Sequence, residues 1–121
     1  MKRTLKIGIA PRDVIARYTR DIVAGRRRRT ARDPDVWFTS VGSFAKILSE
    51  RNRSLLALIA ERRPDSIDTL AAASGRAKSN LSRTLRTMER YGLVRLEKGE
   101  GRKLRPVVTF EVVELTLTVA A

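Results

Sequence analysis

The 121-residue sequence predicts an α+β chain, mainly helical, and three observations carry that expectation. Leu81, Leu85 and Met88 recur at i, i+4 and i+7, which makes one apolar stripe on a helix from about 78 to 91. Leu55, Leu56, Leu58 and Ile59 give an earlier helix a broad buried face. Leu93 to Glu97 and Leu104 to Phe110 flank a glycine-bearing loop, Lys98 to Lys103, and the pattern is that of a hairpin.

Taken in order, Lys2 to Ala10 alternates around Leu5, Ile7 and Ile9 and reads as a half-buried strand. Pro11 suits the first position of a helix whose stripe is Val14, Ile15, Tyr18 and Ile22, with Gly25 as its stop. Arg26 to Arg29 reads as a mobile loop, because adjacent like charges repel; its functional reading is an arm along a phosphate backbone. After Asp33-Pro34-Asp35, the β-forming run Val36 to Ser40 is a second strand, and its Trp37 suits a core or dimer interface. A helical stretch with Phe44, Ile47 and Leu48 on one side breaks at Ser49, a good cap, and restarts. Pro64 ends that helix and Ser66 caps the next, whose buried side is Ile67, Leu70 and Ala71. Gly75 supplies the turn, and Ala77 is a poor cap for the helix that follows. Val112, Leu115, Leu117 and Val119 form a last β-rich stretch, joining Leu5 to Ile9 either within the chain or across a dimer.

Composition narrows the function. With 26 Lys+Arg against 13 Asp+Glu, the net charge is +13, which favours a polyanionic partner. The charge is concentrated: residues 1–32 carry +9 and residues 66–105 carry +6, while residues 106–121 hold two glutamates and no base. There is no cysteine and no histidine, so disulfides, zinc–thiolate sites and the commonest general base are excluded. No clustered carboxylates or phosphate-cradling loop stand out, and Gly99-x-Gly101 fits a hairpin turn; an enzyme, a metal or a cofactor is not expected. No run approaches the roughly 18 apolar residues of a membrane span, so a soluble, cytoplasmic protein without membrane contact is expected.

The order helix, helix, glycine turn, helix, hairpin is that of a winged helix-turn-helix, preceded here by an extra strand-helix-strand segment. Met88-Glu89-Arg90-Tyr91-Gly92-Leu93-Val94 resembles the LExxGLV signature of MarR-like and ArsR-like transcriptional regulators. Pro64 to Ala71 is similar to their PxSIxELA entry into the motif. Gly75-Arg76 followed by Asn80-Leu81-Ser82-Arg83 resembles the GR…NVSR pattern of a small subgroup of uncharacterised predicted regulators. The likeness covers about residues 38 to 118. It departs from the relatives at Ala77, where serine is usual, and at Thr84, where a branched apolar residue is common.

The resemblance implies residues 1–40 as an extension and 41–121 as a DNA-binding domain. The expected function is a dimeric, sequence-specific regulator of double-stranded DNA, read as a repressor. Its reading helix enters the major groove, with Ser79, Asn80 and Arg83 at base edges; Asn suits adenine and Arg suits guanine. Lys78, Ser82 and Arg86 would hold phosphates, and Arg102 and Lys103 at the hairpin tip would reach the adjacent minor groove or backbone. A short reading helix covers few base pairs, so a homodimer follows, with the N-terminal elements, Trp37 and the C-terminal strand as spare apolar material. Two alternatives remain: a DNA-binding antitoxin with a partner toxin protein, and a basic RNA- or ribosome-binding protein. The second is the weaker, because RNA readers present exposed aromatics and only six aromatic residues exist here.

Overall fold

The computed structural model describes residues 3–120, so Lys2 of the first strand reading lies outside the described residues. Among the described residues, five helices and five strands follow one another in the order β1 (Thr4–Ile9), α1 (Arg12–Val23), β2 (Val36–Phe38), α2 (Val41–Ile47), α3 (Glu50–Arg62), α4 (Ile67–Ser74), α5 (Lys78–Arg90), β3 (Arg95–Lys98), β4 (Leu104–Val107) and β5 (Val112–Leu117). They form two compact units, one running to Lys46 and resuming at Phe110, the other spanning Ile47–Thr109. This differs from the expected division at residue 40. The last strand returns to the first unit because its ladder partner is β1.

In that first unit the sheet is parallel throughout, in the order β2-β1-β5. Of the two placements open for the C-terminal strand, the within-chain one is found, with Leu5 beside Val113 and Ile9 beside Leu117. The sheet's two faces differ. Ile7, Ile9 and Phe38 are buried on one, where Phe38 meets Phe44 of α2 edge to face at 5.7 Å. On the other, Trp37 lies against Tyr18 of α1, with ring centroids 5.4 Å apart. The stripe Val14, Ile15, Tyr18 and Ile22 is half-buried rather than fully enclosed.

The arginine run lies in a loop, as expected, and three of its four charges are paired. Arg26 pairs with Asp21 at 3.0 Å, Arg27 with Asp33 at 2.9 Å and Arg29 with Asp35 at 2.7 Å. Arg27 also sits 4.7 Å above the Tyr18 ring. The two aspartates that flank Pro34 are therefore counter-charges, and repulsion within the run is offset locally. Only Arg28 of the four has no carboxylate partner among the described residues.

Asp33 is the buried member of this set, at 7% exposure. The Thr30 amide donates to it at 2.9 Å, and against the opposing effect of burial Arg27 and Tyr18 add charge and hydrogen bonds. Its carboxyl is consequently held below the usual aspartate value. A depressed carboxylate stabilises the fold above the unfolded value of about 3.9 and loses that contribution as pH falls through its folded value. Thermal melting between pH 5 and 2.5 should therefore show an acid limb that is shallower in Asp33→Asn. Equal limbs in both proteins would contradict this role.

The second unit is built from α3, α4, α5 and the β3–β4 ribbon, and its caps follow the sequence. Ser49 accepts from the Asn52 amide and Ser66 from the Thr69 amide, satisfying otherwise orphaned donors. α3 stops at Arg63, left-handed at φ 47°, and α4 at Gly75, φ 72°. Leu55, Leu56, Ile59, Ile67, Leu70, Leu81, Leu85 and Met88 are buried, together with Leu93 and Val94. The ribbon starts later than expected, because Leu93 and Val94 pack in the core before Arg95 begins to pair. Pro106 lies opposite Leu96. The Gly99 amide donates to Lys103 at 2.8 Å, which puts Pro106 at a position that requires no ladder donor.

Candidate nucleic-acid interface

α5 has three faces, and the sequence positions them. Leu81 and Leu85 are 0% exposed and Met88 1%, so this seam anchors the helix. Ser79, Arg83, Arg86 and Arg90, at i, i+4, i+7 and i+11, are all exposed. Three guanidinium groups thus stand on one outer stripe of a helix whose opposite side is fixed. Asn80, Thr84 and Thr87 form the third face, half-buried, and line a concavity of about 300 Å³ with Asn52, Ile47, Arg83 and Met88.

Of the residues expected to contact DNA, Lys78, Ser79, Arg83 and Arg86 on α5 are exposed, as are Arg102 and Lys103 at the ribbon tip. Lys78 pairs with Asp68 at 3.0 Å, but both side chains are mostly in solvent. Such a pair is weak and exchanges readily for another anion. Ser82 is half-buried. The Thr69 hydroxyl and then the Lys103 charge, against the desolvation that opposes them, hold the Asp65 carboxyl below its usual range. The ribbon carries a further charge cluster: Glu97 accepts from Arg105 at 2.7 Å and from Arg95 at 2.8 Å.

Asn80 differs from its expected role. Its Oδ1 accepts twice from Arg76, from Nε at 3.0 Å and Nη2 at 2.8 Å. A guanidinium only donates, so the atom facing it must be the amide oxygen. Paired recognition of adenine needs that oxygen and the amide nitrogen together. In this arrangement Asn80 has only donors to offer outward.

Arg76 itself is the residue that the sequence reading left without a role. Besides holding Asn80, it donates to Asn52 Oδ1 at 3.2 Å and to Thr84 Oγ1 at 3.2 Å, while Asn52 donates to the Ile47 carbonyl at 3.0 Å. One planar fork thereby ties the start of α3 to the turn and to the first two turns of α5. Burial, with Arg51 nearby, lowers its pKa, although a guanidinium stays charged in any case. The polar Thr84, on the half-buried face beside the seam, is explained as an acceptor for this fork. The signal was present in the sequence: Gly75-Arg76 and Asn80 are the fixed letters of the GR…N pattern.

Arg76→Lys tests this. Lysine is a compact point charge and cannot reproduce the planar fork, so a loss of about 1–2 kcal/mol in unfolding free energy is expected. A melting temperature equal to the native one would show that the network carries no stability.

Among the described residues no group of His, Cys, Asp and Glu could hold a metal ion. No helix among them is long and apolar enough to cross a membrane. No curated protein and no solved structure matches the chain. The family model HVO_A0114 matches residues 47–115, which is more than half of the chain and includes α3, α4, α5 and the ribbon. The protein belongs to the HVO_A0114 family.

Proposed function

We propose that the chain is a transcriptional regulator that binds double-stranded DNA through a winged helix-turn-helix, α3 to β4, of the MarR-like or ArsR-like kind. The observation that carries this reading is the outer stripe of α5. Its cations are exposed while the opposite seam of the same helix is buried. A helix so anchored can lie in the major groove without loosening the core. Arg83 then donates in pairs to a guanine edge, and Ser79 and the Asn80 amide nitrogen supply further donors. Lys78, Ser82 and Arg86 hold phosphates, and the ribbon carries Arg102 and Lys103 to the neighbouring backbone or minor groove.

A duplex partner is favoured over RNA by the aromatic side chains. All six are buried or half-buried, so none is displayed as a stacking platform. Selection of bound sites from random duplex DNA, followed by anisotropy titration against structured RNA, tests the reading. Enrichment of a defined site, with affinity falling steeply in salt, supports it. Equal affinity for RNA and for every duplex would refute it.

A further inference from the structure

The two edges of the parallel sheet are unequal. β2 is three residues long and is preceded by Pro34 and Asp35, features that discourage pairing with another chain. β5 is six residues long, lies at the other edge and has neither proline nor lysine. The amides of Val112 and Thr118 donate inward to the carbonyls of Arg3 and Ile9. By the two-residue alternation of a strand, the amides of Val113, Leu115 and Leu117 point to the open side.

The apolar face of the sheet also runs out onto this strand. Leu115 stands in register with Ile7, and Leu117 with Ile9. Ile7 and Ile9 are 1% and 3% exposed, but Leu115 and Leu117 are 45% and 50% exposed. The core face is thus continued by two leucines that are left half in water beside an unpaired ladder.

We propose that β5 is the interface between two copies of this chain, paired antiparallel, edge to edge, across a two-fold axis. Two observations select a second copy as the occupant. Val113-Glu114-Leu115-Thr116-Leu117-Thr118-Val119 alternates symmetrically about Thr116. A two-fold contact requires residue i to face j and j to face i. Centred on Thr116, such pairing sets Leu115 opposite Leu117; extending the strand through Thr118 and Val119, which follow its end at Leu117, would add Glu114 opposite Thr118 and Val113 opposite Val119. Centred on Leu115, it sets Leu115 opposite itself, Val113 opposite Leu117 and Glu114 opposite Thr116. Neither register brings Glu114 against Glu114. The second observation is charge. Two chains of +13 repel over most of their surfaces, but residues 106–121 contain no base at all. This is the segment through which two copies can approach at least electrostatic cost.

The assembly follows from the first unit alone and does not depend on DNA binding. Sedimentation velocity of the full chain should give twice the 13.6 kDa chain mass. Leu115→Lys with Leu117→Lys should return it to a single chain, with Trp37 fluorescence unchanged, since both side chains are already half-exposed. Salt separates the two readings by sign: screening tightens a dimer of like-charged chains and weakens DNA binding. Because the chain has no cysteine, Leu115→Cys and Thr116→Cys each report one register through an intermolecular disulfide, with Glu100→Cys as the exposed control. A native chain that stays at single mass up to about 200 µM would overturn the proposal. So would disulfide formation at 115 and 116 no faster than at 100.

Discussion

Replacing Arg83 and Arg86 together with alanine should weaken binding to a selected duplex site by roughly 100- to 1,000-fold. The two losses differ in kind. A paired guanidinium–guanine contact discriminates by about 1–3 kcal/mol, so Arg83→Ala should relax preference at one position of the site. A phosphate contact carries no sequence information, so Arg86→Ala should weaken all duplexes alike and flatten the salt slope by about 0.9. Neither guanidinium makes an ion pair among the described residues, and both side chains are exposed. Thermal stability should therefore move by no more than about 0.5 kcal/mol. Native affinity in the double variant, measured by anisotropy on that site, would remove the outer stripe of α5 from the interface.

Gly8→Val should be the most damaging single change in the first unit, at about 3 kcal/mol or more. Gly8 is in the central strand, between Trp37 and Thr116 in register. A Cβ there would lie 2.6 Å from Pro34 Cγ and 2.7 Å from the Trp37 ring. Neither neighbour is the loose end of a flexible side chain, so a ring must be displaced and its contact with Tyr18 disturbed. Trp37 is the sole tryptophan, which makes its fluorescence a local reporter of that displacement. A native emission spectrum together with a native melting temperature would show that the sheet has room that its geometry denies. Gly8→Ala meets the same first contact and should show a smaller effect in the same direction.

Local signals in the sequence were legible, and distant ones were not. The caps at Ser49 and Ser66, the stop at Arg63 before Pro64 and the turn at Gly75 were legible, because each depends on residues within four positions. So was the buried seam of α5, since helical period alone sets which residues share a side. The absence of a side-chain cap at Ala77 was equally plain, and the helix starts at Lys78 without one. The loop at the arginine run was legible, but its counter-charges were not. Its partners lie five or six residues away, Asp21 on α1 and Asp33 and Asp35 in the loop before β2, and no periodicity pairs them with the run. The reach of Arg76 beyond its own turn was not legible for a related reason: one of its acceptors, Asn52, is 24 residues distant.

By itself, then, the sequence determined what short-range physics governs: the helices and their ends, the cationic outer stripe of α5 and the large positive charge. Tertiary structure alone decided which partners distant segments would find. It sent β5 back to β1 across more than a hundred residues and brought Asn52 of α3 to Arg76 across 24. The reason is physical. A helix or a cap is stabilised by neighbours along the chain, whereas a parallel ladder or a hydrogen bond between distant elements gains nothing until remote segments have met.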